Sequence, residues 1–227
     1  MLDNHEFYLT LIRHGQSTQN QNPDLMGQLP NVALSDKGVK QAECLRKRLK
    51  INKFDTIYSS PYTRALHTAE IVTDGSGYDI TIVNDLREYN AGDWTNASRT
   101  EIVTLPVVAK MSLLNHSFKP PSGEALNQVE RRASLWLENE ILYNKEKIQK
   151  ANELSKTGDV ANYICFTHGM TIKCLLHYIL GFDKSLTWKV TIENTSISQL
   201  YFGRDGWRLI SINDHAHLST LWTPQEL

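Results

Sequence analysis

The sequence predicts an α/β fold: a three-layer αβα sandwich around a mostly parallel sheet, with a small helical cap inserted. Three observations carry that expectation. Over the first 83 residues, short β-rich runs alternate with segments of helical period, which is how parallel strands come to lie between helical layers. Two apolar runs far apart in the chain, Tyr8–Ile12 and Tyr163–Phe166, lead into the same dipeptide, His-Gly. From Asp85 to about Pro121 the alternation weakens, which marks an insertion around residues 90–121 of one domain spanning 1–227.

In chain order, Glu6–Ile12 reads as a buried strand stopping at Arg13-His14-Gly15. Asn20–Ala33, rich in Asn, Gln, Pro and Gly, reads as a loop. Ser35 can cap a helix whose apolar positions Val39, Ala42, Leu45 and Leu49 share one face. Phe54–Ser59 is a second strand, closed by Pro61, and a helix runs from Tyr62 to about Val72. Asp74–Gly77 is a turn and Ile80–Val83 a third strand. Asn96–Leu114 is expected to be helical in part, with Pro106 as a break. A long helix then places Leu126, Val129, Ala133, Trp136, Leu137 and Ile141 on one face. Asn144–Asp159 reads as a helix end followed by a charged surface loop. Asn162–Thr167 is a strand and Met170–Leu180 a helix. Ser196–Phe202 and Trp207–Ile212 flank Gly203–Gly206 as a hairpin, with an irregular tail from Asp214.

Bulk properties exclude several function classes. With 24 Lys and Arg against 25 Asp and Glu, no global field favours nucleic acid or an anionic membrane. The segment from Tyr163 to Phe182 is the most apolar, but His168, Lys173 and His177 make it too polar for a membrane span. Cys44, Cys165 and Cys174 are odd in number and form no CxxC, which fits a reducing, cytoplasmic setting. None has an Arg six residues on, so the cysteine-phosphatase loop is absent, as are GxxxxGK[ST] and GxGxxG. Met1–Glu6 lacks the pattern of a signal peptide. Asp214-His215-Ala216-His217 invites a metal reading, but no HExxH or cysteine cluster supports it, so no metal is expected. His5 is expected at a frayed end.

Four features follow strands: Arg13-His14-Gly15, Arg64, Glu88 and His168-Gly169. If the strands are parallel neighbours, all four face one edge of the sheet, where ligands of open α/β folds sit. That set suits phosphoryl transfer. Two guanidinium forks can hold the oxygens of a phosphate, and a neutral imidazole is a competent nucleophile. Adjacent positive charge would keep His14 neutral, Glu88 could donate the proton to a leaving alkoxide, and glycines would admit backbone N–H groups close to the phosphate.

At this point the motifs resemble a known family. Arg13-His14-Gly15-Gln16-Ser17-Thr18-Gln19-Asn20 matches R-H-G-x-S/T-x-x-N, the signature of the histidine phosphatase superfamily, phosphoglycerate-mutase-like branch. Further blocks stand in the family's order: Leu34–Ala42, Ser59–Ala69, Leu86–Trp94, Gly123-Glu124 with Val129 and Arg132, Thr167-His168-Gly169, and Asn194-Thr195-Ser196. The resemblance implies that His14 accepts the phosphoryl group and that Glu88 donates a proton. It also implies a phosphate pocket of Arg13, Arg64 and His168, with Asn20 and Gly169 as added donors. No metal or organic cofactor is implied.

Two departures bear on the activity. Thr95-Asn96 stand where the family often has Glu-Gly, and the insertion has Lys110 and Asn115-His116 but none of the Arg pair with which mutases grip a second phosphate. The expectation is therefore a phosphate monoesterase working through phosphohistidine on a small phosphorylated metabolite. The alternatives are a 2,3-bisphosphoglycerate-dependent phosphoglycerate mutase and a non-catalytic phosphate-binding module. Oligomeric state is left open, a homodimer included.

Overall fold

The computed structural model describes residues 5–27, 29–49, 54–74, 76–219 and 221. One six-stranded sheet is built from β1 (Phe7–Arg13), β2 (Thr56–Ser59), β3 (Ile80–Ile82), β4 (Ala161–Thr167), β5 (Ile197–Gly203) and β6 (Gly206–Asp214). The order is β3-β2-β4-β1-β5-β6. β3, β2, β4 and β1 are mutually parallel; β5 runs antiparallel to both β1 and β6, so it alone opposes the rest.

The inner strands are apolar on both faces, as a sheet covered by helices on both sides requires. Phe7, Leu9 and Leu11 of β1, with Tyr163 and Cys165 of β4, join a core with Trp136 and Leu137 of α5 (Leu126–Leu137) and Leu175 of α7 (Gly169–Leu180). Residues of opposite parity (Ile12, Ile164, Phe166) pack with Leu45 of α1 (Asp36–Leu49) and Ala69 of α2 (Thr63–Thr73). The period of two along each strand thus assigns one helical pair to each face.

Several elements differ from the expectation. The break expected at Pro106 falls just ahead of it, at residues 103–104: a short α3 (Arg99–Ile102) ends there, and Pro106 sits in the first turn of α4 (Leu105–Leu114), where a missing N–H costs nothing. The segment after 144 is no loop but α6 (Lys145–Ser155), started by the Asn144 side chain accepting from Glu146 and Lys147 N–H. Its lysines hid an inner face on which Ala151 is buried and Leu154 packs on the core. α5 ends at Leu137 and passes into a π-helical turn, Glu138–Leu142, which still buries Ile141 and Leu142. His5 is not frayed: it is buried against Phe7, ring centroids 4.8 Å apart. Residues 1–4 and Gly75, on which the leader and turn readings partly rest, lie outside the described residues. No helix among the described residues is long and apolar enough to cross a membrane.

Candidate active site

The register of β1 against β4 creates the site. Arg13 pairs with Thr167, so the next residues, His14 and His168, leave adjacent parallel strands side by side. Their ring centroids are 5.1 Å apart. His14 N–H still bonds Thr167 O (3.0 Å), carrying the ladder one step past the strand. Arg64 enters from the first turn of α2, after β2. All three side chains are essentially closed to solvent: His14 is 1% exposed, Arg64 and His168 0%.

Hydrogen bonds fix the state of His14. Its Nδ1 lies 2.7 Å from Gly15 O, which can only accept, so Nδ1 carries the proton. Nε2 receives Arg64 Nε–H at 3.2 Å and so presents its lone pair. Burial, then the Arg64 and Arg13 charges, hold the imidazole well below its ordinary pKa. His168 is pushed down by burial first, then by Arg64, His14 and Arg13. Its Nε2 is 2.8 Å from Ser60 Oγ, which also receives Tyr62 N–H. When the Ser60 hydroxyl donates to His168 Nε2, the ring proton sits on Nδ1.

Three buried nitrogens here have no hydrogen-bond partner: Arg13 Nε, Arg64 Nη2 and His168 Nδ1. Buried donors are almost always paired, and these belong to two guanidiniums and an imidazole that share one site. The set suits an anion with several oxygens. The remaining guanidinium bonds are structural: Arg13 Nη1 to Ile192 O (2.6 Å) and Arg64 Nη1 to Leu29 O (2.9 Å). Burial draws the Arg64 pKa down to about 10, which leaves it charged at neutral pH.

Glu88 reaches the site by a detour. It follows β3, three strands from β1 or roughly 14 Å across the sheet. The segment between is drawn back over the end of β4. Thr167 Oγ1 donates to Leu86 O (2.6 Å) and Thr171 Oγ1 to Arg87 O (2.8 Å). Arg132 of α5 donates from Nη1 to Arg87 O (2.8 Å) and from Nη2 to Glu88 O (3.3 Å). Glu124 holds that guanidinium through both oxygens, at 2.9 and 3.1 Å. The Glu88 carboxylate accepts from Tyr89 N–H (2.8 Å) and Met170 N–H (3.3 Å), the latter in the first turn of α7.

Arg13, Asn20 and Glu88 line a cavity of about 750 Å³, also walled by Trp94, Met111 and Met170. Asn20 Oδ1 accepts from Ser17 N–H and Oγ–H (3.1 and 3.0 Å), so its NH2 is the end not bound to Ser17. Gly169 opens α7; a Cβ there would sit 3.6 Å from Arg13 Nε, an ordinary contact. Gly15 N–H is taken by Thr68 Oγ1 (3.0 Å), and a side chain at 15 would strike the Gly38 backbone. Gly15 is thus required by packing. His217 meets the site one residue removed, its Nε2 3.2 Å from Thr195 Oγ1, and His215 Nδ1 meets Asn213 O at 2.7 Å. Among the described residues no group of three His, Cys, Asp or Glu could hold a metal ion.

Residue reasoning assigned no role to several groups now seen to hold the site. Ser60 orients His168. Asn194 Nδ2 donates to His14 O (2.9 Å), and Thr195 N–H donates to Arg13 O (3.0 Å). Thr195 is buried at φ +57°, a conformation a β-branched residue adopts only when its surroundings impose it. Arg132 and Glu124 form the clamp. Their sequence blocks were visible, but a bond to a backbone carbonyl 45 positions away has no local signature.

The chain is similar to known proteins over most of its length. The sequence model of the histidine phosphatase superfamily (branch 1) matches residues 9–215. A probable phosphoglycerate mutase GpmB from Yersinia pestis is 26% identical over 217 residues, covering 92% of this chain and 93% of that protein. The crystal structure of an Entamoeba histolytica phosphoserine phosphatase in complex with 3-phosphoglyceric acid superposes with a TM-score of 0.74 at 25% identity, covering 93% and 99%. A mycobacterial glucosyl-3-phosphoglycerate phosphatase in complex with VO3 gives 0.75 at 25%, covering 91% and 98%.

Proposed function

This chain belongs to branch 1 of the histidine phosphatase superfamily, and from that premise we propose that it hydrolyses phosphate monoesters through a phosphohistidine on His14, in the cytoplasm and without a metal. The observation that carries the reading is the His14 Nε2 lone pair, neutral by burial, held beside two guanidiniums and facing His168.

Arg13, Arg64, His168 Nδ1–H and the Asn20 amide would hold the phosphoryl oxygens, with the N-terminal turn at Gly169 beside them. On binding, Arg64 Nε–H passes from Nε2 to a phosphoryl oxygen. Nε2 then forms the N–P bond as the P–O bond to the alcohol breaks, and the Glu88 proton goes to the departing alkoxide. In the second half, the Glu88 carboxylate takes a proton from water. The water oxygen bonds phosphorus, the N–P bond breaks, and inorganic phosphate leaves. Residues 90–121 act as a cap that shapes the leaving-group side.

The mutase relative favours a second reading, phosphoryl transfer back to a phosphoglycerate. That reaction needs cations for a second phosphate and a carboxylate. Beyond Arg13, only Arg99 among the described residues brings a cation to the cavity wall. Phosphate release from a panel of small monoesters, with EDTA and without, separates the readings. We expect EDTA-insensitive release that falls by at least about 10⁴-fold in His14→Ala. Bisphosphoglycerate-dependent isomerisation outrunning hydrolysis would favour the mutase, and binding without turnover a non-catalytic module.

A further inference from the structure

The cavity that Arg13 and Glu88 line is large and mostly apolar, and it holds one unused cation. Its volume of about 750 Å³ lies in the range, roughly 300–1,000 Å³, of pockets that enclose a drug-sized molecule. Met26, Met111 and Met170 reach it from three separate segments, and Trp94 and Trp188 supply flat faces. Thioethers adapt to irregular apolar shapes and pack well on rings, and indoles stack on them. Arg13, Glu88 and Arg99 are the charged residues on the wall. Arg13 and Glu88 are occupied by the reacting phosphate and its leaving oxygen. Arg99, the first residue of α3, has its backbone engaged, N–H to Asp24 O and carbonyl to Val103 N–H, while its guanidinium makes no ion pair with a described residue.

Resting on the monoesterase reading above, we infer that the substrate is the monoester of a bulky apolar alcohol bearing a ring, with one further acidic group, which Arg99 receives. A three-carbon amino acid or acid phosphate is a poor match. It would leave most of the Met and Trp wall in contact with water and forfeit the apolar burial that wall offers. A bisphosphate would need a cluster of cations beyond Arg13, and among the described lining residues Arg99 alone supplies one.

The test compares primary alkyl monoesters, so that leaving-group acidity varies little: O-phosphoserine, 3-phosphoglycerate, 2-phenylethyl phosphate and its 4-carboxy derivative. We expect kcat/KM for 2-phenylethyl phosphate to exceed that for O-phosphoserine about 10- to 100-fold, the worth of burying a ring of that size. The 4-carboxy compound should gain a further three- to fivefold or so, as a solvent-accessible ion pair gives. Arg99→Ala should bring the carboxy-to-plain ratio to about one. Trp188→Ala, at a residue that is already 58% exposed and so safe for folding, should narrow the ring preference. O-phosphoserine or 3-phosphoglycerate turned over faster than both aromatic esters would overturn the inference while leaving monoester hydrolysis intact. An unchanged ratio in Arg99→Ala would remove the acidic group from the assignment. If neither these four nor p-nitrophenyl phosphate releases phosphate, the hydrolase reading fails, and the inference with it.

Discussion

Two partners with no freedom, one acceptor and one donor, decide what His14 can do. The Gly15 carbonyl takes the Nδ1 proton, and Arg64, which can only donate, finds the lone pair on Nε2. The ring thereby presents its lone pair at one defined atom before any substrate arrives. Glu88 is the complementary group, and its role has a leaving-group signature. Glu88→Gln keeps the shape and the acceptor for Met170 N–H but cannot give up a carboxyl proton. Hydrolysis of an alkyl phosphate should fall by about 10²–10⁴-fold. Hydrolysis of p-nitrophenyl phosphate, whose leaving group needs no proton, should fall far less. Equal losses for the two, measured as kcat, would remove Glu88 from the proton-donor role.

Among the elements, the strand ends were legible and the detours were not. The approach of His14 to His168 followed from two β-rich runs ending alike, because parallel neighbours in register must deliver equivalent ends to one edge. α6 was misread because lysines dominate its composition while a single inner stripe, centred on Ala151, packs on the core. The break at Pro106 was legible, displaced to residues 103–104 because proline suits the first turn of the helix that follows. The placement of Glu88 was the least legible step, since it depends on the Arg132–Glu124 clamp rather than on sheet geometry. That dependence is testable. Arg132→Lys loses the fork that grips Glu124 bidentately while bonding the 85–88 carbonyls. We expect it to reproduce the leaving-group sensitivity of Glu88→Gln in weaker form, up to about 10²-fold on alkyl phosphates, because a small misplacement of an acid costs that much. A uniform loss on alkyl and nitrophenyl esters would mean that the clamp serves stability alone.

For the molecule as a whole, the neutral site has a thermodynamic consequence. His14 and His168 are held below their ordinary pKa by burial and nearby cations, and His5, His116 and His217 are lowered too, His217 to about 4. The unfolded chain therefore binds more protons below about pH 6.5, so stability must fall as pH drops through that window and level off above pH 7. Each fully buried histidine contributes a slope of up to about 1.4 kcal/mol per pH unit. Urea unfolding midpoints should decline from pH 7 to pH 5, and a flat profile would mean that these rings protonate freely in the folded state. The claim beneath all of this is a covalent bond between phosphorus and one nitrogen. Rapid acid-free quenching after mixing with a ³²P-labelled monoester, followed by peptide mapping, tests it directly. The account predicts an alkali-stable, acid-labile label on the peptide carrying His14, absent in His14→Ala. Turnover by the wild-type protein with no such label on any time scale, or a label on His168 instead, would contradict it.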